Sequence, residues 1–411
     1  MSFLIRYKKI FLAAGFVVFV VFAGYFLYAT FFRQAAPAEK IGEKQATTTA
    51  GGLPVSPVGP GQIITPKEGE KLPAEETPKK EADATASGGL TRVTELTRES
   101  GLGVTLSSNG SDLQYYNKSD GKFYRVNNNG DVSALTDKVF HDVEKIVWSP
   151  NKNKAILEYP DGANIVYDLS TNKQVTLPTH WKDFGFSPDG EKIVMKSMGL
   201  NPDNRWLAVA NEDGSKARRI ELLGEKDETV YPSWSPNNQS VAMYTEGVDF
   251  NRQEVFFVGL NDENFKSTVI EGRGFEYKWA PKGDRLLYSV YSTDNNLKPM
   301  LWTVNAEGES IGSGRKSLNV KTWAHKCVFS GSYSLYCAVP EKLDEGAGLF
   351  PELALSSRDQ LYQIDTRTGI KKLVAIPDGS FNISGPIVSE NGYYLYFTDE
   401  TTKKIYKIKL K

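Results

Sequence analysis

The chain has 411 residues, with 49 basic side chains against 50 acidic ones. That balance argues against a nucleic-acid binder held mainly by electrostatics. Three histidines and two cysteines are too few for a Cys/His zinc site at the usual spacings, while 20 Tyr, 21 Phe and 7 Trp beside many Gly and Asn fit an all-β chain.

Residues 1–9 are short and basic, with Arg6, Lys8 and Lys9. Ile10–Phe32 follows without a charge. A helix of that length spans about 35 Å, enough for a bilayer core with some tilt. The positive flank places residues 1–9 in the cytoplasm and everything after Arg33 outside. Ala36–Ala38 resembles a cleavage site, but the apolar run is longer than a signal-peptide core, so an uncleaved signal anchor is expected. No cysteine follows the run, which excludes a lipoprotein.

Residues 33–90 are rich in Pro, Thr, Ala, Gly, Glu and Lys and nearly free of aromatics. Such a segment buries too little apolar surface to offset ordering and reads as a disordered, partly extended linker.

From residue 91 to 411 a phrase recurs: "LSSNGSDLQYY", "WSPNKNKAILEY", "FSPDGEKIVM", "WSPNNQSVAMY", "WAPKGDRLLYS", "FSGSYSLYCAV" and "VSENGYYLYFT". Each joins two apolar strands by a tight turn, at spacings of 38 to 59 residues. Four strands (a–d) per unit at such a period predict a seven-bladed β-propeller. Blade three reads as a near Trp181–Phe186, b near Lys192–Ser197, c near Trp206–Asn211 and d near Ala217–Leu222. The last unit lacks strand d, so Leu90–Thr97 is expected to pair with it and close the ring. Within the phrase, Ser187-Pro188-Asp189-Gly190 fits a type I turn. The other repeats offer Asn109, Asn151, Asn237 and Lys282 at the aspartate, an exchange a turn tolerates and a metal ligand does not.

These repeats resemble the WD-like propeller repeats of TolB and of prolyl-oligopeptidase-type peptidases, over about Thr91–Lys411. The resemblance implies the fold and little about function, because propellers host unrelated activities. The α/β domain of TolB-like proteins and the hydrolase domain of the peptidases have no counterpart here, so neither activity carries over.

Catalytic signals are weak. Gly308–Gly312 reads GESIG, a G-x-S-x-G, but it falls at a c–d turn without a following helix. His141 and His180 fall between blades, and His325 in a predicted strand a. No catalytic residue, metal site or cofactor is expected. Cys327 and Cys337 lie at equal distances from a turn in blade six, which places them opposite each other, as a disulfide or as two buried thiols.

The b–c loops of blades three to six are long and variable, which is where binding sits on a rigid scaffold. Candidate binding residues are Asn201, Asp203, Arg205, Asp249, Arg252, Tyr291, Asp294, Asn295, Leu349 and Phe350. The blade-six insertion, 339–359, also carries Leu343, Leu353 and Leu355. It suits a short amphipathic helix that offers apolar side chains to a partner, covers the central channel or packs on its own propeller. The expected function is a non-enzymatic, membrane-anchored, extracytoplasmic scaffold for a protein or cell-envelope partner, without nucleic acid. The alternative is an enzyme or small-ligand receptor acting on glycans or peptides in the propeller funnel. No feature fixes the oligomeric state.

Overall fold

The recurring serine organises each a–b turn. In blade three the Gly190 amide donates to the Ser187 carbonyl at 2.9 Å, the i to i+3 bond of a β-turn. The Ser187 hydroxyl donates to Asp189 and accepts from the Lys192 amide, where strand b begins. Ser149, Ser235 and Ser389 repeat this arrangement with Asn151, Asn237 and Asn391, at 2.7 Å in each case. Asp189 is therefore a turn residue.

The computed structural model describes residues 19–26, 81–261 and 263–411. The chain divides into two units, Met1–Glu75 and Glu76–Lys411. In the first, residues 19–26 are helical. Among the described residues no helix is long and apolar enough to cross a membrane. The rest of the expected 10–32 span, residues 1–9 and the linker up to residue 80 lie outside the described residues.

In the second unit the described strands form seven sheets, a seven-bladed propeller. Blade three has strands Trp181–Phe186, Lys192–Met198, Arg205–Asn211 and Arg218–Leu222, within two residues of expectation. The core is divided among the blade interfaces, where apolar faces of neighbouring sheets meet. Ile156 and Leu177 of blade two pack on Trp181 and Phe184 of blade three. Phe257 of blade four packs with Phe275 of blade five. Blade seven meets blade one through Tyr396 beside Leu113 and Tyr115, and the Tyr396 hydroxyl donates to the Ser111 carbonyl at 2.8 Å. Inner strands are also clipped together around the axis. Trp148 Nε1 donates to the Gly103 carbonyl, Trp279 Nε1 to Ser233 Oγ, and Lys278 Nζ to the Cys327 carbonyl.

The segment before the first blade divides between two sheets. Leu90–Thr91 runs parallel to Lys371–Pro377 of blade six. Val93–Glu95 runs antiparallel to Ile405–Lys409, with Val93 opposite Ile408, as the fourth strand of sheet seven. Ordered contacts start before Leu90, the expected end of the linker: the Ala86 amide donates to Lys409 O and the Gly88 amide to Val374 O, both at 2.8 Å.

Cys327 and Cys337 face each other on strands a and b of blade six and are joined by a disulfide, with Cα atoms 4.1 Å apart. His325 departs from expectation. It stands in a 3₁₀ turn, Ala324–Lys326, ahead of strand a. The turn is drawn inward by Ala324, whose amide donates to Ser289 Oγ, and by Lys326, whose ammonium is buried.

Candidate functional site

The b–c and d–a loops share one face of the propeller, and the loops of blades three to six are built there as expected. In blade three, Asn201 caps the turn Pro202–Asn204 by accepting the Asp203 amide at 3.1 Å, a satisfied first-turn donor. Arg205 binds the Gly199 carbonyl and pairs with Asp227 at 3.0 Å. Asn201 and Arg205 thus brace the loop, and Asp203 is exposed.

Blade four extends strands b and c into a projecting hairpin, Ala242–Asp249 and Arg252–Val258. Arg252 pairs with Asp249 at 2.7 Å across the tip and holds that carboxyl below its usual range. Between them Asn251 reaches blade five. Its side chain donates to Thr293 Oγ1 at 2.7 Å and accepts the Thr293 amide at 3.0 Å. Thr293–Asn295 is a 3₁₀ turn, so Asp294 and Asn295 sit beside this junction.

The blade-six insertion then docks on blade five. The Gly346 amide donates to Asn296 O at 2.9 Å and the Gly348 amide to Leu297 O at 2.7 Å. A Cβ on Gly348 would lie 2.6 Å from Cβ of Tyr291, so the close approach needs glycine. Tyr291 therefore supports the insertion. Leu343, Ala347 and Ala354 pack on Trp323, which anchors the insertion to its own propeller. The expected amphipathic helix is absent. Pro351–Ala354 forms one 3₁₀ turn, because the glycines at 346 and 348 and the proline at 351 leave too few residues for helical nucleation.

What the insertion leaves uncovered is apolar. Leu349, Phe350, Leu353 and Leu355 are exposed, as are Val248 and Phe250 at the blade-four tip and Leu200 in blade three. Phe250 and Phe350 are 61% and 51% exposed. The hydrogen bonds from Asn251 to Thr293 and from Gly348 to Leu297 tie the blade-four tip to the insertion through the blade-five loop. Phe250 and Val248 extend the apolar set beyond the insertion residues expected, Leu349, Phe350, Leu353 and Leu355.

The face also holds a polar cleft that the length of the loops did not suggest. It lies between blades two and three, has a volume of about 420 Å³, and is lined by Glu158, Tyr159, Lys145 and Asp183 among others. Lys145 Nζ sits 3.3 Å from both Glu158 and Asp183. Lys196 Nζ lies 2.9 Å from the second Asp183 oxygen. Burial works against ionisation of Asp183, but Lys196 and then Lys145 outweigh it and hold the carboxyl below its usual range. Burial likewise opposes the charge on Lys145, and Glu158 and Asp183 outweigh it.

Two further chemical candidates, Ser310 and His325, are engaged in structure. Ser310 of GESIG is in a 3₁₀ turn, Gly308–Ser310, and donates to the Glu307 carbonyl, so it is no nucleophile elbow. His325 Nδ1 lies 3.0 Å from both oxygens of Glu276. Among the described residues no three His, Cys, Asp or Glu side chains are grouped to hold a metal ion.

No family model and no curated protein sequence matches the chain. Solved structures do match. The β-propeller domain of Myceliophteria thermophila Cps50 (Swd1) shares 10% identity at a TM-score of 0.51, over 78% of this chain and all of that domain. An oligogalacturonate lyase in complex with manganese shares 14% identity at a TM-score of 0.49, over 78% of this chain and 93% of that one. An oligogalacturonate lyase from Vibrio parahaemolyticus shares 14% identity at 0.48, over 77% and 92%. At 10% identity the likeness to the Cps50 domain is one of fold, a β-propeller, and the TolB-type resemblance of the repeats goes no further than that.

Proposed function

We propose that the chain is a membrane-tethered, extracytoplasmic propeller that binds a protein partner through the apolar crown of blades four to six, without catalysing a reaction. Exposed Phe250, Leu349, Phe350, Leu353 and Leu355 on hydrogen-bonded loops carry this reading. Fully burying one such side chain is worth about 1.5–3 kcal/mol, and large exposed apolar groups gathered on a rigid face mark interaction surfaces. The uncharged run Ile10–Phe32 and the basic flank before it support the tether and the outward topology.

Photo-crosslinking of the full-length chain in its own membranes tests the surface. A crosslinker at Phe350 is expected to trap a discrete protein species that a crosslinker at exposed Val175, on a blade-two outer strand, does not. Phe250→Ser is expected to remove that species. Equal products from both positions refute the surface. Digestion of the propeller by protease from the cytoplasmic side, and not from outside, refutes the topology.

A further inference from the structure

The clefts between neighbouring blades differ in charge. Between blades one and two, Asp137 stands beside Lys138. Between blades two and three, Lys145 pairs with Glu158 and Asp183. The cleft between blades three and four is lined by Glu221 and Glu263 and by no cation. The cleft between blades five and six is the reverse. Lys321 and Lys371 line it, and no carboxylate does.

The fold does not use these ammonium groups as counter-ions. Lys321 is exposed, and its ammonium has no hydrogen-bond or ion-pair partner among the described residues. Lys371 is also exposed, and its one contact is the Asn319 carbonyl across the cleft at 3.5 Å, the outer limit of a hydrogen bond. Lys316, on the outer strand of blade five, donates to the Arg367 carbonyl at 2.6 Å and likewise meets no carboxylate. The carboxylates of blade six on this side are engaged elsewhere. Glu341 accepts from Gln360 at 3.0 Å, Asp365 pairs with Arg367 at 3.5 Å, and Asp359 is buried against Lys326. Three cations thus stand along one blade interface without compensation.

The lining narrows the occupant. The cleft has a volume of about 340 Å³, and between the lysines it presents Val339, Pro340 and Tyr362. Val339 and Tyr362 are half-buried, and the Tyr362 hydroxyl is spent on Gln360 at 3.0 Å, so the ring is what faces a ligand. Lysine is a point charge without the planar fork of arginine, and it selects for negative charge more than for phosphate geometry. A hydrated phosphate polymer would meet the lysines and leave the apolar floor bare. A carboxylate joined to hydrocarbon matches both parts. We propose that this cleft binds an acidic peptide segment of a protein partner, with an aliphatic side chain on Val339 and Tyr362 and flanking carboxylates on Lys321 and Lys371. The site is separate from the apolar crown and does not depend on it.

The test uses the full-length chain in detergent and the fluorescence anisotropy of a labelled peptide, GEVELEG. The peptides GQVQLQG and GESESEG, without the charges and without the aliphatic side chains, and inorganic polyphosphate serve as comparisons. GEVELEG is expected to bind saturably and at least about tenfold more tightly than any of the three. Lys321→Gln/Lys371→Gln is expected to weaken it roughly tenfold. Lys372→Gln removes the same charge from the next residue of the strand, which pairs with Gln363 and points to the opposite face, and is expected to stay within about twofold of wild type. The thermal midpoint of the double variant is expected to match the wild type, since neither lysine has a carboxylate partner. The proposal is overturned if GEVELEG does not bind, if GESESEG or polyphosphate binds as tightly, if Lys372→Gln weakens binding as much as the double variant does, or if the double variant melts well below the wild type, which makes the lysines braces of the blade interface.

Discussion

Replacing Lys326 by Met removes the cation from a buried pair. The Lys326 side chain is 4% exposed and that of Asp359 is not exposed at all. Nζ lies 2.6 Å from Asp359 Oδ2 and also donates to Asn382 Oδ1. Without it, Asp359 Oδ2 keeps the Ile383 amide at 2.7 Å, and Oδ1 has no hydrogen-bond partner among the described residues. Methionine fills most of the space of the lysine stem, so the loss is mainly that of a counter-charge. Breaking a buried pair from one side costs about 3–5 kcal/mol, a large part of the typical 5–15 kcal/mol of a domain. The loss depends on pH. Burial pushes the Asp359 carboxyl above its ordinary value, although Lys326 and the Ile383 amide pull it down. With the folded pKa above the unfolded one, the folded state binds more protons between them, and stability falls as pH rises from the unfolded value through the folded value. Removing Lys326 moves the folded value further up and widens that window. The deficit of Lys326→Met is therefore largest at neutral pH. In acid it shrinks to the lost hydrogen bonds, about 1 kcal/mol each. Urea denaturation of the full chain in detergent, near about pH 4.5 and about pH 7.5, measures this. Lys326→Met/Asp359→Asn is expected to recover most of the neutral-pH loss. A deficit below about 1 kcal/mol at neutral pH, one that is equal at both pH values, or one the second substitution does not relieve, refutes the reasoning.

Two further outcomes follow from the same physics. Cys327→Ser/Cys337→Ser opens a loop with a sequence separation of 10, and loop-closure entropy gives a loss of about 3 kcal/mol; denaturation with and without reductant checks it, and reductant is expected to move only the wild type. Asp189→Asn is expected to change stability by no more than about 0.5 kcal/mol, since Asn151, Asn237 and Asn391 fill the same role in other blades; a loss of several times that, read by thermal melting, contradicts the turn assignment.

The blade plan was legible because its punctuation is chemical. A serine that bonds both the residue two places on and the amide five places on has to stand at the same point of every repeat that uses it, and Ser149, Ser187, Ser235 and Ser389 do. The facing of Cys327 and Cys337 followed from period-two geometry about one turn. His325 was misread because a strand pattern does not reveal the buried bond between Lys326 and Asp359, which lie 33 residues apart and convert the strand start into a 3₁₀ turn. The cleft was missed for a different reason. Loop length pointed to blades three to six, whereas Glu158 and Tyr159 flank the short loop of blade two. In strand a, Asp183 stands at the spacing from the turn serine where Gly103 and Gly385 stand, and its pairing with buried Lys196 shows only in the fold.

The pairing of the segment before blade one with blade seven also bears on how the protein is made. The Ile405 amide donates to Thr97 Oγ1 across 308 residues of sequence. At a synthesis rate of about 5–20 residues per second, Thr97 leaves the ribosome roughly 15–60 s before its partner does. Throughout that interval blade one lacks its blade-seven neighbour, and Leu113 and Tyr115, which pack against Tyr396 and Ile405 in the folded chain, remain open. A chain cut short within blade seven leaves Leu113 and Tyr115 of blade one and Leu361 of blade six uncovered, and open apolar sheet faces of that kind promote aggregation.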